Sequence, residues 1–231
     1  MSKIITTPNP ILRKISKPVV NLDKKNLAIV KDIQDTLSGS DHPRGVGLSG
    51  VQIGKTIRVF CMYLPKSGDP DDEKSQPILS TFINPEVVEV SKDKTLGPKK
   101  EKPILEGCLS IPGIWGPVRR HSWIRLRYTP FLSKNAGGEG DKFSLAATAR
   151  PKAWQNDQRQ NLMRAKPSAA KKISVAKPTE KIFSAFPARV IQHELDHLNG
   201  ILFTDHSLRD KLPIYQIRGE EMERISLSEN E

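Results

Sequence analysis

The stretch that decides the fold of this chain is Gln192-His193-Glu194-Leu195-Asp196-His197-Leu198-Asn199-Gly200. On a helix, His193 and His197 lie one turn apart on the same face, so that both imidazoles can bind one metal ion. Glu194 follows the first ligand, where its carboxylate can take a proton from an activated water without binding the metal. The stretch therefore predicts a metal-binding helix that carries an acid–base residue.

Two histidines do not complete a hydrolytic metal site, and the candidates for a third ligand indicate different functions. A metzincin protease has a third histidine where this chain has Phe203, which cannot bind a metal. A thermolysin-like endopeptidase would use a later glutamate, for which Glu220, Glu221 and Glu223 lie at a suitable distance along the chain. Their charge pattern favours an exposed acidic segment instead. The remaining candidate is Cys108, whose thiolate with two imidazoles leaves a fourth position open.

Three motifs follow one another along the chain: Gly45-Val46-Gly47-Leu48-Ser49-Gly50-Val51-Gln52, Glu106-Gly107-Cys108-Leu109-Ser110 and residues 192–200. In this order they resemble the three signatures of the peptide deformylases, the first of which reads Gly-x-Gly-Leu-Ala-Ala-x-Gln. Three motifs in order are far more specific than any one of them. The resemblance, which covers roughly residues 4–128 and 186–208, implies a peptide-deformylase-like α+β fold, with short antiparallel strands around a central metal-binding helix.

The resemblance also implies a reaction, the removal of the N-formyl group from the formyl-methionine of nascent polypeptides with release of formate. Cys108, His193 and His197 would hold one divalent metal ion. The ligand set itself is compatible with zinc and with iron(II). The family resemblance points to Fe²⁺ as the physiological metal, with Zn²⁺, Ni²⁺ or Co²⁺ able to occupy the same site.

Three further residues take catalytic roles by the same resemblance. Glu194 would pass the proton of water to the departing amine. The side-chain amide of Gln52 and the backbone N–H of Leu109 would form the oxyanion hole. The segment Gly45-Val46-Gly47 would approach an extended peptide substrate closely and pair with it strand to strand.

Two departures from the family pattern bear on activity and partners. Ser49-Gly50 replaces the usual Ala-Ala, and Gly50 is expected to loosen the loop. A basic insertion occupies about residues 131–181: residues 131–187 carry eleven Lys/Arg and four Asp/Glu, a net +7 of the chain's +11. Its composition predicts a flexible, solvated loop, and its charge also suits docking on the ribosome through RNA phosphates. A catalytically weak or inactive relative that binds the ribosome or RNA therefore stays open as an alternative, beside the zinc endopeptidase.

The remaining composition sets the domain organisation and the compartment. We expect one catalytic domain over residues 1–231, with the insertion and a C-terminal tail at 206–231. Two cysteines make a poor disulfide framework, no apolar run is long enough for a membrane span, and the first eight residues lack the apolar stretch that is typical of a secretory signal. We therefore expect a cytoplasmic protein that does not enter a membrane. Residues 21–23 are expected to cap a first helix, and residues 57–64, 78–89 and 124–128 to form strands.

Overall fold

The structure, a computed structural model, describes residues 1–40, 45–70, 72, 74–98, 103–131, 177–219 and 221–226. The helices are α1 (Lys24–Ser38), α2 (Ala185–Leu198) and α3 (Phe203–Arg209), with 3₁₀ turns at Pro10–Arg13 and Gly50–Ile53. The strands are β1 (Gly47–Ser49), β2 (Val59–Pro65), β3 (Pro77–Val90), β4 (Lys94–Thr95), β5 (Leu105–Cys108), β6 (Ile111–Pro117), β7 (Arg120–His121), β8 (Trp123–Pro130), β9 (Thr179–Ser184), β10 (Ile214–Arg218) and β11 (Glu221–Ile225).

Helix α1 begins where the sequence predicts a cap. The Asp23 side chain accepts a hydrogen bond from the backbone N–H of Asn26 at 2.8 Å, which satisfies one of the free donors of the first turn. The inner face of the helix buries Val30, Ile33 and Leu37 completely or nearly so. These side chains pack with those of β1, β2 and β3, so that α1 covers one face of the larger sheet.

The larger sheet has five antiparallel strands in the order β1-β2-β3-β8-β9. The strands predicted at 57–64 and 78–89 are present as β2 and β3, within two residues at each end. In β8, Ile124, Leu126 and Tyr128 are buried while Arg125 and Arg127 face outward and pair with Glu86, Glu89 and Glu180. The alternation of apolar and basic residues therefore marks a half-buried strand, as predicted.

Helix α2 lies at the centre of the fold. Its apolar residues Ala188, Ile191 and Leu198 are fully buried against the aromatic and aliphatic side chains of β2, β3 and β8. The helix starts at Ala185, so that Pro187 lies within its first turn rather than just ahead of the helix. Proline is tolerated there because the N–H groups of the first turn have no intrahelical acceptor. The fold is thus α+β with antiparallel strands around a central helix, as predicted.

The smaller sheet carries the cysteine motif and runs β11-β10-β6-β5. Strands β10 and β11, at one end of this sheet, come from the segment predicted to be a C-terminal tail. Residues 206–226 instead contain most of α3 and the hairpin β10–β11, and Ile214 of β10 is 2% exposed. This segment is ordered into the fold because β10 pairs with β6, where Tyr215 lies opposite Trp115.

The proposed insertion lies mostly outside the described residues, and only its two ends are seen. Strand β9 begins at Thr179 and pairs with β8, with Thr179 opposite Tyr128. The last three residues of the predicted interval 131–181 therefore belong to the sheet, because the backbone of β9 is paired along its length. Among the described residues, no helix combines the length and apolarity that a membrane crossing requires.

Candidate metal centre and active site

The three predicted ligands converge at one point. Helix α2 presents His193 and His197 from one face, with ring centroids 4.9 Å apart, and the end of β5 brings Cys108 to them. One ligand atom from each residue lies within 4.8 Å of the other two, and Cys108 Sγ is 3.2 Å from His197 Nε2. Cysteine and histidine ligands of a tetrahedral metal ion lie ~3.6 Å apart. The arrangement fits one metal ion with three protein ligands.

The electrostatics of Cys108 suit a metal ligand. Burial acts to raise the pKa of this thiol, but His197 and His193 outweigh it and hold the pKa well below its usual value. This environment favours the thiolate, the form that binds metals. Burial acts to lower the pKa of His193. In the chain without metal, Cys108 and Glu106 outweigh burial and raise this pKa well above its usual value. A bound cation would replace that proton as the positive charge facing the sulfur.

Glu106 orients the first histidine ligand. Its Oε2 accepts hydrogen bonds from His193 Nδ1 at 3.0 Å and from Arg120 Nη2 at 2.8 Å. Its Oε1 accepts from Arg120 Nε at 3.0 Å and from Arg189 Nη1 at 2.8 Å. Burial acts to raise the pKa of Glu106, but Arg120 and His193 overcome it and the pKa lies well below the ordinary value. A carboxylate on Nδ1 leaves Nε2 of His193 for the metal.

The buried charges continue beyond Glu106. Arg120 also forms an ion pair with Asp196, whose Oδ2 lies 2.8 Å from His206 Nε2. No role was predicted for these residues, although the sequence of α2 contains a signal. Arg189 and Asp196 lie four residues before and three after His193, which places all three on one helix face. Two buried charges beside a ligand on that face indicate a supporting network.

Glu194 lies beside the ligands and takes no part in this network. It is 2% exposed, and its Oε2 has no hydrogen-bond partner among the described residues. Burial raises its pKa to about 7. An unpaired buried carboxylate oxygen next to three metal ligands is the group that a water molecule or a metal-polarised substrate would meet. The position agrees with the predicted acid–base role.

Gln52 reaches the same point from the 3₁₀ turn that follows β1. Its Nε2 lies 3.5 Å from Cys108 Sγ and donates to Ser110 Oγ at 3.2 Å. Its Oε1 faces away from the ligands and accepts from both the backbone N–H and the hydroxyl of Ser49, at 2.8 and 2.9 Å. The side-chain amide therefore directs its N–H groups at the ligand cluster, as an oxyanion-hole donor would.

Leu109 and the segment Gly45-Val46-Gly47 lie near the site and contact each other. Leu109 follows Cys108 in the turn between β5 and β6, and its side chain fills the space over Gly45, where a methyl group would lie 2.8 Å from Cδ1. A methyl group on Gly47 would lie 2.8 Å from Cδ of Glu194. The structure thus gives the two glycines a packing role, because they admit Leu109 and Glu194. Val46 is half-buried, and its carbonyl accepts from the backbone N–H of Tyr63.

The expectation that Gly50 loosens its loop is wrong. Gly50 is buried, and its carbonyl accepts from the N–H of Lys55 at 2.9 Å. A methyl group at this position would lie 2.8 Å from the carbonyl oxygen of Lys55 and 3.1 Å from the Ile57 side chain. The glycine is therefore the residue that lets the loop close tightly.

Of the alternative third ligands, those that the structure describes do not reach the site. Glu221 and Glu223 lie on β11, the outer strand of the smaller sheet; both are exposed, and Glu223 pairs with Arg218. Glu220 lies outside the described residues. Phe203 is buried, with its ring stacked on that of His193. Within the described part of the chain, Cys108, His193 and His197 form the one group with metal-ligand geometry.

The site belongs to the class of metal-dependent hydrolases. It combines a central helix that carries two histidine ligands, a cysteine ligand from a neighbouring strand and a buried glutamate that does not bind the metal. Comparison with protein families narrows this class. The model of the polypeptide deformylases matches residues 1–142 and 168–212, so the chain belongs to the polypeptide deformylase family.

Individual relatives agree with this assignment. The chain is 30% identical to the peptide deformylase of Pseudothermotoga lettingae over 89% of its length and 82% of the relative's. It is also 30% identical to the peptide deformylase of Phenylobacterium zucineum, over 90% and 89% of the two chains. Among solved structures, a peptide deformylase from Legionella pneumophila superposes with a TM-score of 0.56 at 26% identity, covering 89% of this chain and 85% of the other. A probable peptide deformylase from Synechococcus phage S-SSM7 gives 0.58 at 25% identity, covering 89% and 99%.

Proposed function

We propose that this chain hydrolyses the N-formyl group of formyl-methionyl peptides and releases formate and a free amino terminus. The observation that carries the proposal is the position of Glu194, buried and with an unpaired oxygen, beside the cluster of Cys108, His193 and His197. These three residues would hold the metal ion. When bound, a divalent cation supplies Lewis acidity, which lowers the pKa of water and polarises a carbonyl group.

Each neighbouring residue has one task in the reaction. Glu194 takes the proton of the attacking water and delivers it to the amine as the formyl C–N bond breaks. The raised pKa of Glu194 lies near neutrality, where a carboxylate exchanges protons readily. Gln52 Nε2 and the backbone N–H of Leu109 stabilise the oxygen on which negative charge develops, a contribution of ~10²-fold or more for each donor.

The peptide backbone of the substrate binds along β1. This strand forms the outer edge of the five-stranded sheet and pairs on one side with β2, where Gly47 lies opposite Met62. An extended peptide can add to the other edge next to Glu194, with Gly45-Val46-Gly47 as its partner segment. The substrate amino terminus would then lie over the ligand cluster.

The metal and the compartment are further parts of the proposal, and the ligand set is compatible with both. We propose Fe²⁺ as the metal, with Zn²⁺, Ni²⁺ or Co²⁺ as substitutes, since a thiolate with two imidazoles accepts any of these ions. Neither Cys61 nor Cys108 forms a disulfide, which is compatible with a reducing cytoplasm.

Formate release from formyl-Met-Ala-Ser tests the function directly. Protein purified anaerobically with Fe²⁺ should release formate, and Glu194→Gln should retain the metal and lose roughly 10²- to 10⁴-fold in kcat. Glu223→Gln is the matched control, because it changes an exposed glutamate of β11. Metal-loaded wild type that releases no formate would refute the proposal.

A ribosome contact through the basic insertion is a separate proposal about partners. Residues 143–167, which the family match omits, carry five Lys/Arg and one Asp. Concentrated positive charge binds phosphates in a salt-dependent manner. Replacing these residues by a short Gly-Ser linker should reduce co-sedimentation with ribosomes at low salt, while formate release is kept. Unchanged co-sedimentation would remove the support for docking.

A further inference from the structure

Ser49 occupies a position where the family pattern has alanine, and its hydroxyl forms a hydrogen bond with Gln52. The side chain is completely buried. Its Oγ lies 2.9 Å from Gln52 Oε1, and its backbone N–H donates to the same oxygen at 2.8 Å. Since an amide oxygen can only accept, the hydroxyl hydrogen points at Gln52. An alanine would keep the backbone bond and lose the hydroxyl bond.

The two bonds have different effects on the orientation of Gln52. A backbone N–H can only donate, so the end of the amide that faces Ser49 must be the oxygen, and Nε2 must face Cys108 and Ser110. The hydroxyl adds a second anchor on the same oxygen, which restricts rotation of the terminal amide, a torsion that is otherwise broad. The Ser110 hydroxyl, 3.2 Å from Nε2, holds the other end.

Gly50 supports the same geometry. Ser49 precedes the 3₁₀ turn Gly50–Ile53 that carries Gln52, and the close packing of Gly50 on Lys55 fixes the start of that turn. The substitution of both alanines therefore supplies a hydroxyl for Gln52 and the space for the loop that presents it.

We propose that Ser49 is a positioning residue, which holds the Gln52 amide by a two-point anchor so that Nε2 faces the reacting oxygen. The proposal rests on the proposed function, because it concerns the donor that stabilises the oxyanion. It predicts a cost in transition-state stabilisation with little change in substrate binding. Removing one hydrogen bond of ordinary strength corresponds to a loss of roughly three- to tenfold in kcat.

The kinetic experiment compares Ser49→Ala with Ser80→Ala. Ser80 is also buried, and its hydroxyl has no hydrogen-bond partner in the described part of the chain, so that the control removes the same atom from a comparable environment. Ser49→Ala should lower kcat about three- to tenfold with KM unchanged, and Ser80→Ala should match wild type. In a Gln52→Ala background, Ser49→Ala should have no further effect on kcat. An equal loss in both backgrounds would show a general structural defect and overturn the proposal.

A second measurement is independent of turnover. In ¹⁵N-labelled, zinc-loaded protein, the side-chain amide of Gln52 should give one sharp pair of proton resonances that exchange slowly with solvent. Ser49→Ala should broaden the pair or speed its exchange, and Ser80→Ala should not. If wild type releases formate and Ser49→Ala has the same kinetics and resonances as wild type, only the role of Ser49 is overturned. If wild type releases no formate, the proposed function fails, and the resonances alone decide whether Ser49 anchors Gln52.

Discussion

Gly47→Ala tests whether the position of Glu194 determines the rate. A methyl group on Gly47 would lie 2.8 Å from Glu194 Cδ and closer still to Oε1, whereas ordinary contact begins at 3.4 Å. The carboxylate must therefore retreat by about 0.6 Å at Cδ and further at its oxygen. Misplacement of a reacting group by ~1 Å costs on the order of 10²-fold in rate. We expect kcat for formate release to fall by roughly that factor.

The assay must separate displacement of Glu194 from loss of the fold or of the metal. Overpacking a core position costs ~1–3 kcal/mol of unfolding free energy, which urea denaturation measures. Metal content should stay at the wild-type value, because the three atoms nearest the added methyl group all belong to Glu194, which is not a metal ligand.

Shortening the carboxylate supplies the matched control. Glu194→Asp removes one methylene and makes room for the methyl group, so that Gly47→Ala should cost much less in this background than in wild type. If kcat of Gly47→Ala stayed within about threefold of wild type, or if its cost were the same in both backgrounds, the contact between Gly47 and Glu194 would not limit the reaction.

Three further substitutions test the surroundings of the site. Glu106→Gln removes the carboxylate that two buried arginines share, and only Arg120 keeps another partner, Asp196. Urea denaturation should therefore show a loss of ~3–5 kcal/mol, and competition with a chelator should show a metal affinity ~10–100-fold lower; unchanged affinity would contradict its role in orienting the ligand. Glycine-to-alanine changes often stabilise by ~0.4–1 kcal/mol, but Gly50→Ala should lower the unfolding free energy by ~1–3 kcal/mol through its contact with a backbone carbonyl, and a gain would refute the packing. Ile214→Ala should cost ~2–4 kcal/mol while Ile217→Ala, at a position 42% exposed, stays near wild type; equal effects would show that β10 is not part of the core.

Local sequence signals predict the elements that they encode directly. The cap at Asp23, the alternation in β8 and the spacing of His193 and His197 each depend on neighbours within one turn or one strand. The third ligand came from a motif, since nothing in the spacing of Cys108 places it beside α2. Its position depends on tertiary contacts between residues far apart in the chain, since His197 lies 89 residues after Cys108.

The parts that the sequence analysis missed depend on tertiary contacts. The hairpin β10–β11 carries the charges of an exposed segment on its outer strand, and its inclusion in the sheet is decided by pairing with β6. The roles of Gly47 and Gly50 depend on which atoms lie opposite them, namely Glu194 and Lys55. A glycine in a sequence indicates a need for space or for an unusual backbone conformation, and only the neighbouring atoms show which.

The buried charges around α2 are better explained by orientation of the site than by stability. The buried cluster consists of two carboxylates and two guanidinium groups, namely Glu106, Asp196, Arg120 and Arg189. Their burial costs desolvation energy that their mutual attraction roughly offsets, and apolar residues often replace such clusters without loss of stability. An apolar cluster could not hold Nδ1 of His193, which needs an acceptor of fixed position. The residues three and four positions from Glu194 along α2 carry only apolar or metal-ligand side chains. Glu194 therefore lies outside the charged cluster and keeps a raised pKa. Helix α2 thus carries two carboxylates with different properties. Asp196 stays charged because it pairs with Arg120, whereas Glu194 has no arginine partner among the described residues and can exchange its proton.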